Sequence, residues 1–148
     1  MSMTIAFCLA QNARNGGVWK DNNGVHINAH GGNIISYKGT YYWYGENRSD
    51  NGPVSSMGVS CYKSKNMKDW TDCGIVLPVS KQPGSDMEAG CIVERPKVVK
   101  NPKTGKFIMW FHLELKGRGY EAARYGVATA DNPLGPFKFV RSGRVNPG

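Results

Sequence analysis

Cys91-Ile92-Val93-Glu94-Arg95-Pro96-Lys97-Val98-Val99 is an apolar, extended stretch with an acid, a guanidinium and a proline at its middle. A period of two places Glu94, Pro96 and Val98 on one face and Arg95, Lys97 and Val99 on the other. Pro96 has no amide hydrogen to give to a ladder, so this strand is predicted to have one open edge. A carboxylate in an otherwise buried strand costs stability unless it has partners or a use. Glu94 is therefore taken as the centre of a candidate site.

The segments around this stretch are strands separated by turns. Val25 to Tyr37 reads as a strand broken by Gly31-Gly32, Lys38-Gly39 as a turn, and Thr40 to Glu46 as an aromatic, β-prone strand. Met57 to Ser64 and Trp70 to Leu77 follow as strands, and Pro78 to Gly90 as a longer loop. The pattern then restarts with strands at Cys91 to Lys100, Lys106 to Glu114, Ala122 to Ala130 and Pro136 to Val140. Laid on one another, the halves keep a steady offset: 66 from Tyr41 to Phe107, 68 from Gly58 to Gly126, and 67 from Trp70 to Phe137.

A four-stranded antiparallel unit written twice, with no 3.6-residue periodicity between strands, is the mark of β-propeller blades. The fold class is all-β. Residues 1–17 form a lead-in and 18–148 a partial propeller, with blade 1 at about 25–77 and blade 2 at about 91–140. Laying Ile34-Ile35 on Val98-Val99 puts His30 on Glu94, so each blade is expected to send one ionisable group to the same place. Closed propellers need about four to eight blades. The chain is accordingly expected to need missing blades or self-association to cover its blade faces.

The totals limit the function classes. The chain has 148 residues, 19 of them Gly, with 11% aromatics and a formal net charge of +8 from 19 basic and 11 acidic side chains. The basic residues are scattered singly rather than gathered on a face or run, which argues against nucleic acid as partner. No stretch is long and apolar enough for a membrane-spanning helix, and no membrane partner is expected. The apolar run Thr4 to Ala10 lacks a basic lead, leaving a signal-peptide remnant and a chance run both open, with a secreted or periplasmic location as the expectation. Cys8, Cys61, Cys73 and Cys91 form no CxxC pair, and His26, His30 and His112 lack zinc-finger spacing, so no metal site is predicted. Cys61 and Cys73 face one another across a hairpin centred near Met67, with two small free residues favoured over a disulfide. No cofactor is predicted; a structural calcium is left open.

Carboxylates ringed by Tyr and Trp suit sugar chemistry, since glycosidases work with paired carboxyl groups. For Trp43, Tyr44, Trp110 and Tyr120, packing between blades competes with stacking on a pyranose ring. For Glu46 a sugar contact competes with a plain strand-end charge, and for His112 with a place in the core.

Ala29-His30-Gly31-Gly32, Tyr41-Tyr42-Trp43-Tyr44-Gly45-Glu46, Glu94-Arg95-Pro96-Lys97-Val98, Met109-Trp110-Phe111-His112, Gly126-Val127-Ala128 and Pro133-Leu134-Gly135-Pro136-Phe137 occur in that order. Together they resemble glycoside hydrolase family 43, in the group that contains exo-β-1,3-galactanases, from about Val18 onward. The resemblance implies a five-bladed propeller and an inverting, exo-acting hydrolase of β-1,3-galactan. It implies that Glu94 tunes the general acid, that Glu46 touches the terminal galactose, and that Tyr120 does so from a loop. Where most members carry an Asp base on the first strand, this chain has Asn28-Ala29-His30, so the base is unassigned. The resemblance sets the general acid on a later blade, so this chain is expected to lack it. The candidate site comprises Glu94 as catalytic group, with His30, Glu46, Tyr120, Tyr44, Arg95 and His112 for substrate. The alternative is a non-catalytic carbohydrate-binding propeller piece.

Overall fold

The computed structural model describes residues 16–48 and 56–146. Their structure is two four-stranded antiparallel sheets with no helix among the described residues. The first sheet holds β1 (His30–Tyr37), β2 (Thr40–Arg48), β3 (Ser56–Ser64) and β4 (Thr71–Pro78) in sequential order. The second holds β5 (Ile92–Lys100), β6 (Phe107–Glu114), β7 (Arg124–Ala130) and β8 (Lys138–Arg144), also in order. These are two blades of a β-propeller, the all-β architecture expected from the repeat. Cys8 and the apolar run at 4–10 lie outside the described residues.

The two blades share an irregularity as well as a topology. Both first strands break register after the residue that opens the site, between His30 and Asn33 in β1 and between Glu94 and Lys97 in β5. The bulge residue has positive φ in each, +58° at Gly31 and +51° at Arg95. Glycine reaches that region freely, whereas arginine is strained there. The bulge adds one residue to the strand, so the expectation that Glu94 and Val98 share a face is corrected: Val93 and Val98, opposite Leu113 and Met109, enter the core, whereas Glu94, opposite His112, turns to the other face. Before the bulge the register mirrors itself: His30 stands opposite Glu46 in blade 1, and Glu94 opposite His112 in blade 2.

The blades share one apolar core. Tyr44, Val59, Cys61, Val76 and Leu77 from the first sheet pack with Val93, Val98, Phe107, Met109, Phe111 and Leu113 from the second. Each such side chain contributes about 1.5–3 kcal/mol through its burial. A second cluster, Ile27, Ala29, Tyr62 and Trp70, pins the segment that leads into β1.

Two strand ends differ from expectation. The segment from Val25 to Ala29 is not part of β1, because the Asp21 carboxylate accepts from the amides of Asn23 and Val25 and turns the chain there. The last strand starts at Lys138 rather than Pro136 and runs on to Arg144, since the Phe137 amide bonds Val76 O in the other sheet instead of β7.

Candidate active site

The site forms where the ends of β2, β5 and β6 meet the loop before β7. Glu46, next to the last residues of β2, is 4% exposed, and Glu94 of β5 is 5% exposed. Arg48 lies between them, its Nη2 2.6 Å from Glu46 Oε1 and 3.6 Å from Glu94 Oε1. One half-exposed guanidinium thus serves two buried carboxylates. Burial pushes the Glu46 carboxyl above its ordinary range, with Arg48 pulling back and the Glu94 charge adding to the rise.

Arg48 is itself held from below. The β2–β3 register slips between Asn47 and Arg48. There the Asn28 side chain takes over, donating from Nδ2 to Arg48 O at 2.6 Å and accepting from Arg48 N at 2.9 Å. Asn28 N in turn donates to the Tyr62 hydroxyl at 3.1 Å. An aspartate at this position could accept but not donate, so a carboxamide is what this double contact requires.

The other side of Glu94 faces blade 2. Tyr120, on the exposed loop between β6 and β7, donates its hydroxyl to Glu94 Oε1 at 2.6 Å. That bond to a carboxylate holds the Tyr120 phenol above its ordinary pKa. Glu94 Oε2 has no hydrogen bond among the described residues; His112 Nδ1 stands 3.4 Å from it. The far side of the same imidazole, Nε2, is 2.6 Å from Glu114 Oε1. Glu114, 1% exposed, also accepts from the Ala123 amide at 2.9 and 3.1 Å.

Of the predicted residues, the fold brings together Glu94, Glu46, Tyr120 and His112. His30 joins at the exposed rim, opposite Glu46 and lowering its pKa electrostatically. Tyr44 is corrected: it is fully buried, its hydroxyl donates to Pro133 O at 2.7 Å, and its ring meets Phe137 edge-on at 6.0 Å. It is a link between blades, because the pleat turns it to the face opposite Trp43 and into the shared core. Arg95 points outward beside Gly31 and pairs with neither carboxylate among the described residues. His112, for which a core place was the competing reading, sits between two carboxylates. Among the described residues no group of three His, Cys, Asp or Glu could hold a metal ion.

Arg48 and Glu114 are absent from the sequence-derived set. Each lies two residues after a member of it, Glu46 and His112, on a strand that turns alternate side chains the same way. That spacing was the available signal.

No protein-family model matches the chain, and no curated protein does. Solved structures do. A GH43 β-1,3-galactosidase with galactodeoxynojirimycin is 56% identical over 90% of this chain, with a TM-score of 0.85. The exo-β-1,3-galactanase from Phanerochaete chrysosporium with galactose is 37% identical over 87%, TM-score 0.78, and that from Clostridium thermocellum 41% identical over 86%, TM-score 0.76. This chain spans 39%, 29% and 26% of those three chains.

Proposed function

As a chain that belongs to glycoside hydrolase family 43, this protein supplies, we propose, the sugar-binding and proton-tuning wall of a galactosidase pocket. The substrate class we assign is a terminal β-linked galactose of a β-1,3-galactan, released with inversion. One observation carries the reading: two buried carboxylates, Glu46 and Glu94, share the Arg48 guanidinium beneath the exposed Tyr120.

The chemistry follows from the partners. An oxocarbenium-like transition state gains positive charge near the anomeric carbon, and buried carboxylates in a water-poor wall stabilise that charge strongly. Glu46 offers an acceptor to sugar hydroxyls. Glu94 sits at the meeting point of Tyr120, Arg48 and His112 and acts on the proton donor through its charge. The proton donor itself comes from outside this cluster.

In the protein that carries this chain, Glu94→Gln is expected to cost on the order of 10²-fold in β-1,3-galactan hydrolysis. Turnover at the wild-type level would remove Glu94 from the mechanism. A non-catalytic galactose-binding piece is the second reading. It is favoured by the fact that Glu46, Glu94 and Glu114 are each already engaged by Arg48, Tyr120, His112 or Ala123. Galactose binding without hydrolysis of an aryl β-galactoside would select it. We further propose that the outer face of the second sheet, where Val99 and Trp110 are 54% and 45% exposed, is covered by further blades or by a second copy. Light scattering of the chain on its own, if it showed a stable monomer, would count against that.

A further inference from the structure

Glu114 is a buried carboxylate that the proposed chemistry leaves unused, and its surroundings are specific. It is 1% exposed, both its oxygens accept from the Ala123 amide, and Oε1 lies 2.6 Å from His112 Nε2. Ala123 takes a positive φ of 45° to make that contact. A non-glycine residue is held in that region only where its surroundings over-determine it. The loop tied down by Ala123 is the one that brings Tyr120 onto Glu94.

We propose that Glu114 is a positioning residue that fixes the tautomer and orientation of His112, so that the lone pair of the neutral ring's Nδ1 is turned toward Glu94 Oε2. The inference deepens the galactosidase reading of the same site and rests on it for its use in catalysis, but not for its geometry.

The proton count follows from donors and acceptors. An ionised Glu114 accepts only, and it already takes the Ala123 amide hydrogen. His112 Nε2, at 2.6 Å, must therefore carry a hydrogen and donate it. That leaves Nδ1 facing Glu94 Oε2 at 3.4 Å, and that oxygen has no hydrogen bond among the described residues. With the ring neutral, the Nδ1 lone pair is turned toward that oxygen. The other groups around this pair are Tyr120 and Arg48 on Glu94 Oε1, Glu46 across the shared Arg48, and Tyr125 opposite His112 on β7. Tyr120 also lies beside the imidazole, ring centroids 5.9 Å apart. The arrangement gives Glu94 an imidazole nitrogen beside one oxygen and a fixed hydroxyl donor on the other.

Long-range proton–nitrogen NMR of His112 in the purified chain, without sugar, tests this. When neutral, His112 is expected to carry its hydrogen on Nε2. In Glu114→Gln the carboxamide oxygen stays with the Ala123 amide and the NH2 group turns to the imidazole, so the hydrogen is expected to move to Nδ1. A purely structural role for Glu114 would leave the tautomer where it was. Neutral wild-type His112 protonated on Nδ1 would overturn the proposal by itself, even if the variant failed to fold. An unchanged tautomer in a folded Glu114→Gln would overturn it as well. Since no substrate enters, failure of the galactosidase reading would show elsewhere, as absent turnover with the expected tautomer intact.

Discussion

The side-chain amide of Asn33 occupies the place of a strand partner for Val98. Its Nδ2 donates to Val98 O at 3.1 Å, and its Oδ1 accepts from Val98 N at 3.0 Å. Nearby, Lys97 Nζ donates to the carbonyls of Gly31 and Gly32 at 2.8 and 2.9 Å. The edge that Pro96 leaves without a ladder donor is thus closed by the neighbouring blade, one residue at a time.

Asn33→Ala is expected to leave both polar groups of Val98 without these partners at the junction of the blades. Each lost partner for a part-buried backbone group costs about 1–3 kcal/mol. With two partners lost, chemical denaturation should show a loss of about 2–6 kcal/mol, and amide exchange at Val98 should accelerate. Protection at Val98 equal to wild type would show that water replaces the amide without cost.

Gly45 lies between the core residue Tyr44 and the site residue Glu46, and a Cβ there would stand 2.0 Å from Ala29 C and 2.3 Å from Ala29 O. The obstacle is backbone, so it cannot swing aside. Gly45→Ala is expected to destabilise by about 3 kcal/mol or more through overpacking. A melting temperature within a degree or two of wild type would mean that the segment before β1 yields more readily than its packing implies.

Arg48→Ala removes the cation that opposes the effect of burial on Glu46, so the Glu46 pKa should rise further above its ordinary 4.5. At low pH Glu46 is protonated with or without Arg48, and the variant should lose little on this account. As pH rises through the raised folded pKa, the variant must hold a charge without its partner. Its stability deficit should therefore widen toward neutral pH, to about 1–2 kcal/mol, less than for a fully buried pair because Arg48 is half exposed. Carboxyl NMR titration and melts across that range check the sign; a deficit that shrinks with rising pH would contradict it.

Cys61 and Cys73 are both free thiols, Cys61 fully buried and Cys73 partly exposed. A hydrogen bond from Cys61 lowers the Cys73 thiol to about 7, while the same contact and burial push Cys61 up. Among the described cysteines, alkylation near neutral pH should label Cys73 before Cys61 and Cys91, which are spared while the chain is folded. Peptide mass mapping reads the order directly, and Cys61→Ser should slow the labelling of Cys73.

Much of this protein was legible in the order of its residues. Alternating apolar positions, glycine turns and a steady offset of 66–68 are local or repeated signals, and they located the strands and the two blades. The pairing of His30 with Glu94 as equivalent positions also needed only the repeat, and the matching bulges bear it out. Tertiary structure decided which side chains meet. Tyr44 and Glu46 sit on one aromatic strand two residues apart, yet one enters the core and the other the site, because Pro133 and Phe137 come from far along the chain to cover the first. Arg48 reaches both carboxylates only because Asn28, 20 residues earlier, holds its backbone where the ladder slips. His112 became a site residue through Glu114 and Ala123, the latter bent into a conformation that no local preference favours. Periodicity reports which way a side chain points; its partner depends on bulges and on contacts between distant segments, and those exist only once the chain has folded.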